Sequence, residues 1–275
     1  MQKAAFSTPW TFFSRYSEPR MDIYLFVVRG NAGKALDFHS SFESIPSTEI
    51  SELIEEPVGS VDKIPVSLEE FLENLLSETT SAVLPCLVLK ESDGKTNISI
   101  DGCAVFTNDK LTGVIPSEKI AGLQWIRGKV RTSNLAVSMG DGTANIMIRT
   151  ESAKIRPVLR ADGGVKMKVI ITADGFLINQ SSSADYSNPD NARRLIGAAA
   201  QQIQTAVLKT FSAAQSLDSD IFGLGEEVRR RYPKEWKSMA DNWEAVFRNA
   251  EIETEITVNL EDVGTINDPI LPDKE

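Results

Sequence analysis

Residues 101–130 read DGCAVFTNDKLTGVIPSEKIAGLQWIRGKV, and the punctuation of this stretch decides the fold around it. An apolar run, Cys103 to Phe106, ends in the polar turn Thr107, Asn108, Asp109, Lys110; a second apolar run, Leu111 to Ile115, follows. Two short apolar runs joined through Asn-Asp predict a β-hairpin. Pro116 stops the second strand because it has no N–H to give to a ladder. Ser117 is placed to cap a short helix, with Glu118 complementing its dipole. Ile120, Leu123 and Ile126 share one face with Trp125 close by, and Gly128 is placed to end the helix in the left-handed region. The stretch reads strand, turn, strand, helix, stop. It holds no nucleophile–base pair and no metal-ligand spacing, so by its chemistry it is scaffold.

Working outward, composition sets the class. A chain of 275 residues, 41% hydrophobic and 25% charged, has enough apolar material for a sizeable core and is not a disordered polymer. The net charge of −10 argues against a nucleic-acid binder and against electrostatic binding to anionic lipid, though not against a lipid anchor. No run approaches the ~18 apolar residues of a membrane span. The start, MQKAAFSTPWTFFSRYSEPR, has neither the apolar core of a secretory signal nor a lipobox cysteine. Cys86 and Cys103 both sit in apolar strand-like runs and read as small buried hydrophobes, with a disulfide left as the alternative.

On the N-terminal side, Thr8-Pro9 predicts a helix start and Met21–Val28 a strand buried on both faces, then a short helix over 32–38. That strand is expected to present an exposed edge. Prolines 46, 57 and 65 bracket a further helix near Thr48–Glu56. Ser67 with Glu70 forms a capping-box pattern opening a helix whose stripe is Leu68, Phe71, Leu72, Leu75 and Leu76. Glu69, Glu70 and Glu73 read as charges on its solvated face. Residues 81–90 and 97–106 predict an antiparallel pair around a turn.

On the C-terminal side, Leu135–Met139, Ala144–Leu159 and Val165–Ile178 predict strands, the last two joined at Asp162, Gly163 and Gly164. Lys166 and Lys168 alternate with Met167 and Val169, so one sheet face is wet. The other is covered by a helix starting at Asn188-Pro189-Asp190, with an apolar stripe from Ala192 to Phe211 and Gln201, Gln202 and Gln204 outward. Gly197 and the alanines are expected to allow close packing. Gly223-Leu224-Gly225 is no dinucleotide loop: no strand precedes it, position 228 is valine, and Glu226 and Glu227 would face the phosphates. It reads as a helix break before a short helix from Glu226 to Arg231. Trp236, Met239, Trp243 and Phe247 form one helix face, read as core, and Ile252–Leu260 is a last strand with acidic residues outward.

The fold class that results is α+β: mixed and multi-domain, with mainly antiparallel sheets each packed against helices and a long C-terminal helix covering its sheet. The expected division is residues 1–45, 46–130 and 131–275. His39 is the single histidine, in a serine-rich stretch without a nucleophile elbow, and no HExxH, EF-hand, P-loop or CxxC pattern occurs. No catalytic residue, cofactor or metal site is assigned.

Two blocks carry a resemblance. The first comprises Ala104, Val105, Phe106, Asp109, Lys110, Leu111, Gly113, Glu118, Gly122, Trp125, Gly128 and Lys129. The second comprises Asp220, Phe222, Gly223, Gly225, Arg230, Tyr232, Pro233, Trp236, Trp243 and Phe247. In this order they resemble the C-terminal domain of the Ger(x)C family, the lipoprotein C subunits of GerA-type nutrient germinant receptors of bacterial spores. Arg15, Glu18, Arg20, Gly30 and Ala32 fit the family's preceding domain. The resemblance implies a non-enzymatic subunit, anchored by lipid on the outer face of the spore inner membrane and complexed with two integral membrane subunits. It implies no nucleic acid. Relative to that pattern the chain lacks the signal and the lipidated cysteine, so it reads as a fragment beginning partway through the first domain. The candidate interface or family-motif residues are Asp109, Lys110, Gly113, Glu118, Asp220, Phe222, Gly223, Gly225, Trp236 and Trp243. The other reading is an extracytoplasmic solute- or cell-wall-binding module or enzyme with an apolar pocket between domains.

Overall fold

The structure, a computed structural model, describes residues 22–36, 64–92 and 95–262. Two four-stranded sheets are joined through the stretch 101–130. The first has the order β1 (Val27–Arg29), β2 (Ala82–Ser92), β3 (Lys95–Thr107), β4 (Lys110–Ile115). The second has the order β5 (Thr132–Ser138), β6 (Thr143–Leu159), β7 (Val165–Gln180), β8 (Glu251–Asp262). The consecutive pairs from β2 to β4 and from β5 to β7 are antiparallel. The edge strands depart from this: β1 joins β2, and β8 joins β7, in parallel. A parallel partner requires a long crossover. For β8 that crossover is helical: α5 (Pro189–Gln215), α6 (Leu224–Arg231), α7 (Pro233–Met239), a 3₁₀ turn (Ala240–Asn242) and α8 (Trp243–Arg248). The remaining helices are α1 (Ala32–Leu36), α2 (Leu68–Leu75), α3 (Ser117–Ile120) and α4 (Gly122–Ile126).

The predicted hairpin is β3–β4, closed by Asn108 at φ 54°. Gly128 ends α4 at φ 66°, and its N–H and that of Lys129 reach back to the Trp125 and Gln124 carbonyls, the Schellman arrangement. Ser117 is not the cap. It lies inside the first turn, and its hydroxyl accepts from the Gly102 N–H at 2.7 Å, tying the helix start to β3. Ser67 does cap α2, accepting from the Glu70 N–H at 3.1 Å, but the Glu70 carboxylate turns to other partners rather than closing the box. Leu76, predicted inward, lies past the end of α2 and is 82% exposed.

The long helix packs on one face of the second sheet, as its periodicity requires. Asn188 accepts from the Asp190 N–H at 2.9 Å, and Leu195, Ala199, Ile203, Val207 and Phe211 are buried. They face the sheet's apolar side, where Ile146, Ile148, Met167, Val169 and Ile171 are fully buried. Each large side chain so buried contributes about 1.5–3 kcal/mol. Gln204 does not face outward: it donates to the Thr254 hydroxyl on β8 at 2.7 Å. Nor does Gly197 mediate packing, since it is exposed with open space around it. The close approach is at Gly122 instead. A Cβ there would lie 2.4 Å from the Ala206 carbonyl oxygen, and the Gly122 N–H donates to the Thr210 hydroxyl of α5 at 2.9 Å.

Two further expectations need correction, and the reading of the two cysteines holds. The strand over 21–28 shrinks to Val27–Arg29, half-buried rather than covered on both faces, with Ile23 and Tyr24 exposed. The tryptophan face is split over α7, the 3₁₀ turn and α8, which together wrap the core where one straight helix would pass it. Cys86 and Cys103 are buried and free. The helices expected near residues 8–18 and 48–56, the residues Arg15, Glu18 and Arg20, and His39 lie outside the described residues. Among the described residues no helix is long and apolar enough to cross a membrane.

Candidate functional site

The two sheets meet at the loop from Ser219 to Gly223, between α5 and α6. Its sequence, SDIFG, has no regular pattern, yet every polar group that matters here has a partner. Asp220 is 3% exposed. One carboxylate oxygen accepts from the N–H groups of Phe222, Gly223 and Leu224 at 3.0–3.1 Å. The other accepts from Gly225 N–H at 2.7 Å and from Trp243 Nε1 at 3.2 Å. The residue before α6, Gly223, has no side chain to offer, so Asp220 supplies the negative end that the orphan N–H groups of a helix start require. Burial pushes the Asp220 carboxyl up, and the N–H donors pull it back. Two glycines make the geometry possible. Gly223 sits at φ 78°, and a Cβ on Gly225 would lie 2.7 Å from Trp243 Nε1 and 2.8 Å from the Thr79 Cβ.

The loop is held from the first sheet as well. Ser81 N–H donates to the Asp220 carbonyl at 2.8 Å, and the Thr107 and Ser219 hydroxyls lie 3.0 Å apart. Arg127 closes the clamp. Its Nε and Nη2 donate to the Ile221 carbonyl at 3.2 and 2.8 Å, while Nη1 reaches Glu70 at 3.0 Å. Lys129 donates to the same Glu70 oxygen at 2.8 Å. The Arg127 side chain is 9% exposed, so this pair is largely removed from solvent screening. Glu70 is therefore not a solvated-face charge but the anchor tying α2 to the loop. Phe222 stacks with Phe211 and Phe247, centroids 5.8 and 6.2 Å away, bringing α5, the loop and α8 into one cluster.

Over this clamp lies an open groove of about 820 Å³. One wall is α2 with Glu69, Glu70 and Glu73; the other is α6 with Glu226, Glu227 and Arg229. Its floor holds Ile126, Arg127, Ala153, Ile155 and Phe222. A smaller hollow of about 260 Å³ on the other side of Asp220 is bounded by Ser77–Ser81, Asn108, Asp218 and Asp241–Glu244. Among the described residues no His, Cys, Asp and Glu cluster is arranged to hold a metal ion.

Of the motif residues, the structure gathers Asp220, Phe222, Gly223, Gly225 and Trp243 into the clamp. Trp236 packs on Trp243 with centroids 5.2 Å apart. Gly113 sits on β4 beneath Leu217, whose side chain would be 2.6 Å from a Cβ. Asp109 and Lys110 stand at the hairpin tip and Glu118 on the exposed side of α3, apart from the clamp. Trp125, Trp236 and Trp243 are buried, and among the described residues they form no exposed aromatic patch. Sequence reasoning missed Arg127 and Glu70 as partners. Each had a sufficient local explanation, a base at a helix end and an acid in a first turn, and their separation of 57 residues carries no periodic signal.

Comparison with known proteins matches the chain to two family models. One, described as "Spore germination B3/ GerAC like, C-terminal", covers residues 101–264; the other, "Spore germination protein N-terminal domain", covers residues 3–89. Spore germination protein KC of Bacillus subtilis is 21% identical over 83% of this chain and 60% of its own length. Spore germination protein YndF of the same organism is 25% identical over 92% of this chain and 63% of its own length. The chain spans 60–67% of the length of the curated relatives it matches. In structure it is similar to the crystal structure of the GerBC protein, with a TM-score of 0.72 and 16% identity over 94% of this chain and 74% of that one. That likeness shows a shared fold.

Proposed function

We propose, from the premise that the chain belongs to the spore germination B3/GerAC-like family, that it acts as the C-type subunit of a nutrient germinant receptor. The family is one of spore germination proteins rather than of enzymes. In this reading the protein is held by lipid at the outer face of the spore inner membrane and assembles with two integral membrane subunits. It works in receptor assembly or in relaying the nutrient signal. The carrying observation is the match of both family models, in order, across residues 3–89 and 101–264. The clamp accords with it: its buried polar groups are spent on holding two sheets together, and no nucleophile or acid–base pair is left over in it. The buried motif residues, Asp220, Gly225 and Trp243 among them, serve the fold in this reading. The exposed Lys110 and Glu118 remain available to a partner.

The test is co-purification in detergent with the two integral subunits, using this chain and a version extended by an N-terminal signal and lipidated cysteine. Stoichiometric co-elution of both versions supports the reading and places a contact within residues 1–275. Co-elution of the extended version alone puts the contact in the added segment or the lipid. If neither co-elutes and small metabolites raise the melting temperature instead, a solute-binding role replaces the subunit role.

A further inference from the structure

We propose that the outer edge of β8 takes up, as an added strand, an extended segment of a partner protein in which bases alternate with apolar residues. The backbone is the first observation. β8 ends its sheet, and among the described residues no backbone group pairs with its outer side. At 12 residues it is the longest of the edge strands; β1 has 3, β4 has 6 and β5 has 7. An unpaired row of N–H and C=O groups is a template for another strand, and short length, proline or a bulge is the usual way to blunt it. β8 contains no proline, and its register with β7 runs unbroken from Glu251 to Leu260.

The two faces of this edge state what such a strand carries. On the covered face, burial falls off at β8. Met167, Val169 and Ile171 of β7 are fully buried, whereas their β8 neighbours Ile252, Thr254 and Ile256 are only partly so, although the two isoleucines pack on the core. The apolar layer under α5 is thus open along its flank. On the wet face, Glu251, Glu253 and Glu255 alternate along the strand. Arg160, Lys166 and Lys168 meet them from the β7 side, and each carboxylate keeps about half of its surface in water. A strand with apolar residues over the open flank and Lys or Arg beside the glutamates would complete both rows. The run VKMKV at 165–169 already does so on the other side. The same two rows disfavour other occupants. A second copy joined β8 to β8 would set glutamates against glutamates. Residues 263–275 carry Asp268, Pro269, Pro272, Asp273 and Glu275 with one base, Lys274, and cannot supply the basic row. The edge specifies this segment whether or not the subunit reading holds.

The experiment titrates the full chain, by fluorescence anisotropy, with a labelled peptide alternating Lys and Val. The same peptide with its backbone nitrogens methylated, and a shuffled peptide of the same composition, serve as controls. Hydrogen exchange over residues 251–260 is followed with and without the peptide. The expected result is binding of the alternating peptide with slowed exchange along β8, and roughly tenfold or more weaker binding of both control peptides. Glu253→Gln/Glu255→Gln should weaken binding roughly tenfold, with the loss shrinking as salt rises. Asp241→Asn/Glu244→Gln makes the same charge change at exposed residues away from the strand and should leave binding unchanged. Equal melting temperatures check that the variants fold. No binding, equal binding of the methylated peptide, or an equal loss in the Asp241/Glu244 variant overturns the proposal. So does a doubled mass in light scattering that the peptide fails to dissociate, which would give the edge to a second copy.

Discussion

The clamp around Asp220 and the ladder between β7 and β8 both depend on charged side chains, and they are not equivalent. In the ladder, Lys166 and Lys168 on β7 face Glu251, Glu253 and Glu255 on β8, with Arg160 on Glu251 at the strand's start. The acidic members are roughly half exposed, water screens each contact, and any one pair is replaceable by its neighbours. In the clamp, Asp220 and Arg127 are withdrawn from water, and removing either leaves buried partners unsatisfied. Charged side chains thus do different jobs. Outside, they set register for a parallel edge strand; inside, they fix how two halves of the molecule meet.

The largest expected effect comes from breaking the inner member of this comparison. Asp220→Ala strips the N–H groups at the start of α6 and the Trp243 indole of their acceptor. It should cost about 3–5 kcal/mol, read by denaturant unfolding, with a loss of near-UV tryptophan signal. A midpoint within error of the parent's would show that the cap is dispensable. Next, Gly225→Ala keeps every donor and acceptor but drives a methyl into Trp243 and Thr79. Overpacking of this kind costs about 1–3 kcal/mol, so the variant should fall between the parent and Asp220→Ala. A cost as large as that of Asp220→Ala would mean that backbone conformation, not the carboxylate, holds the loop.

The smallest effects belong to the outer member. Lys168→Met should leave the melting temperature unchanged within error, since exposed pairs of this kind are often worth nothing measurable. A pH series sharpens the contrast. Glu253 is held below the usual carboxylate range by Lys166, as are Asp218 by Arg248 and Glu226 by Arg229. Their stabilisation is present above the ordinary carboxylate range and drains away as pH falls through their depressed values. Asp220 runs the other way. With its carboxyl raised by burial, the folded state takes up that proton before the unfolded chain does. Its term therefore favours the fold as pH falls from its raised value to the ordinary one. Acid should thus erode stability through the surface pairs first. In Glu253→Gln the acid-induced fall in melting temperature should be shallower than in the parent; an identical slope would remove Glu253 from that account.

Local pattern made a large part of this readable. The β3–β4 hairpin, the Asn188 cap and the long helix's apolar stripe follow from signals within a few residues of each other, because turns, caps and faces are set by nearest neighbours along the chain. The edges were not readable. β8 looked like any amphipathic strand, and nothing in IETEITVNL says that it joins β7 in parallel, since both orientations present the same alternation. The tryptophan face was legible as buried but not as bent, because spacing reports burial and not helix continuity.

The candidate site divides the same way. Asp220, Gly223, Gly225 and Trp243 could be singled out as a pattern, but their roles could not be assigned. A buried carboxylate receiving successive N–H groups looks in sequence like any loop aspartate. Sequence alone determined most of the elements, the main faces they bury and the family, each of which is written in local spacing. Tertiary structure alone decided that Glu70, Arg127 and Ile221 meet, that the two sheets share one clamp, and that an acidic groove opens over it. Contacts between residues tens of positions apart depend on how whole faces pack, and no short window of the chain contains that information.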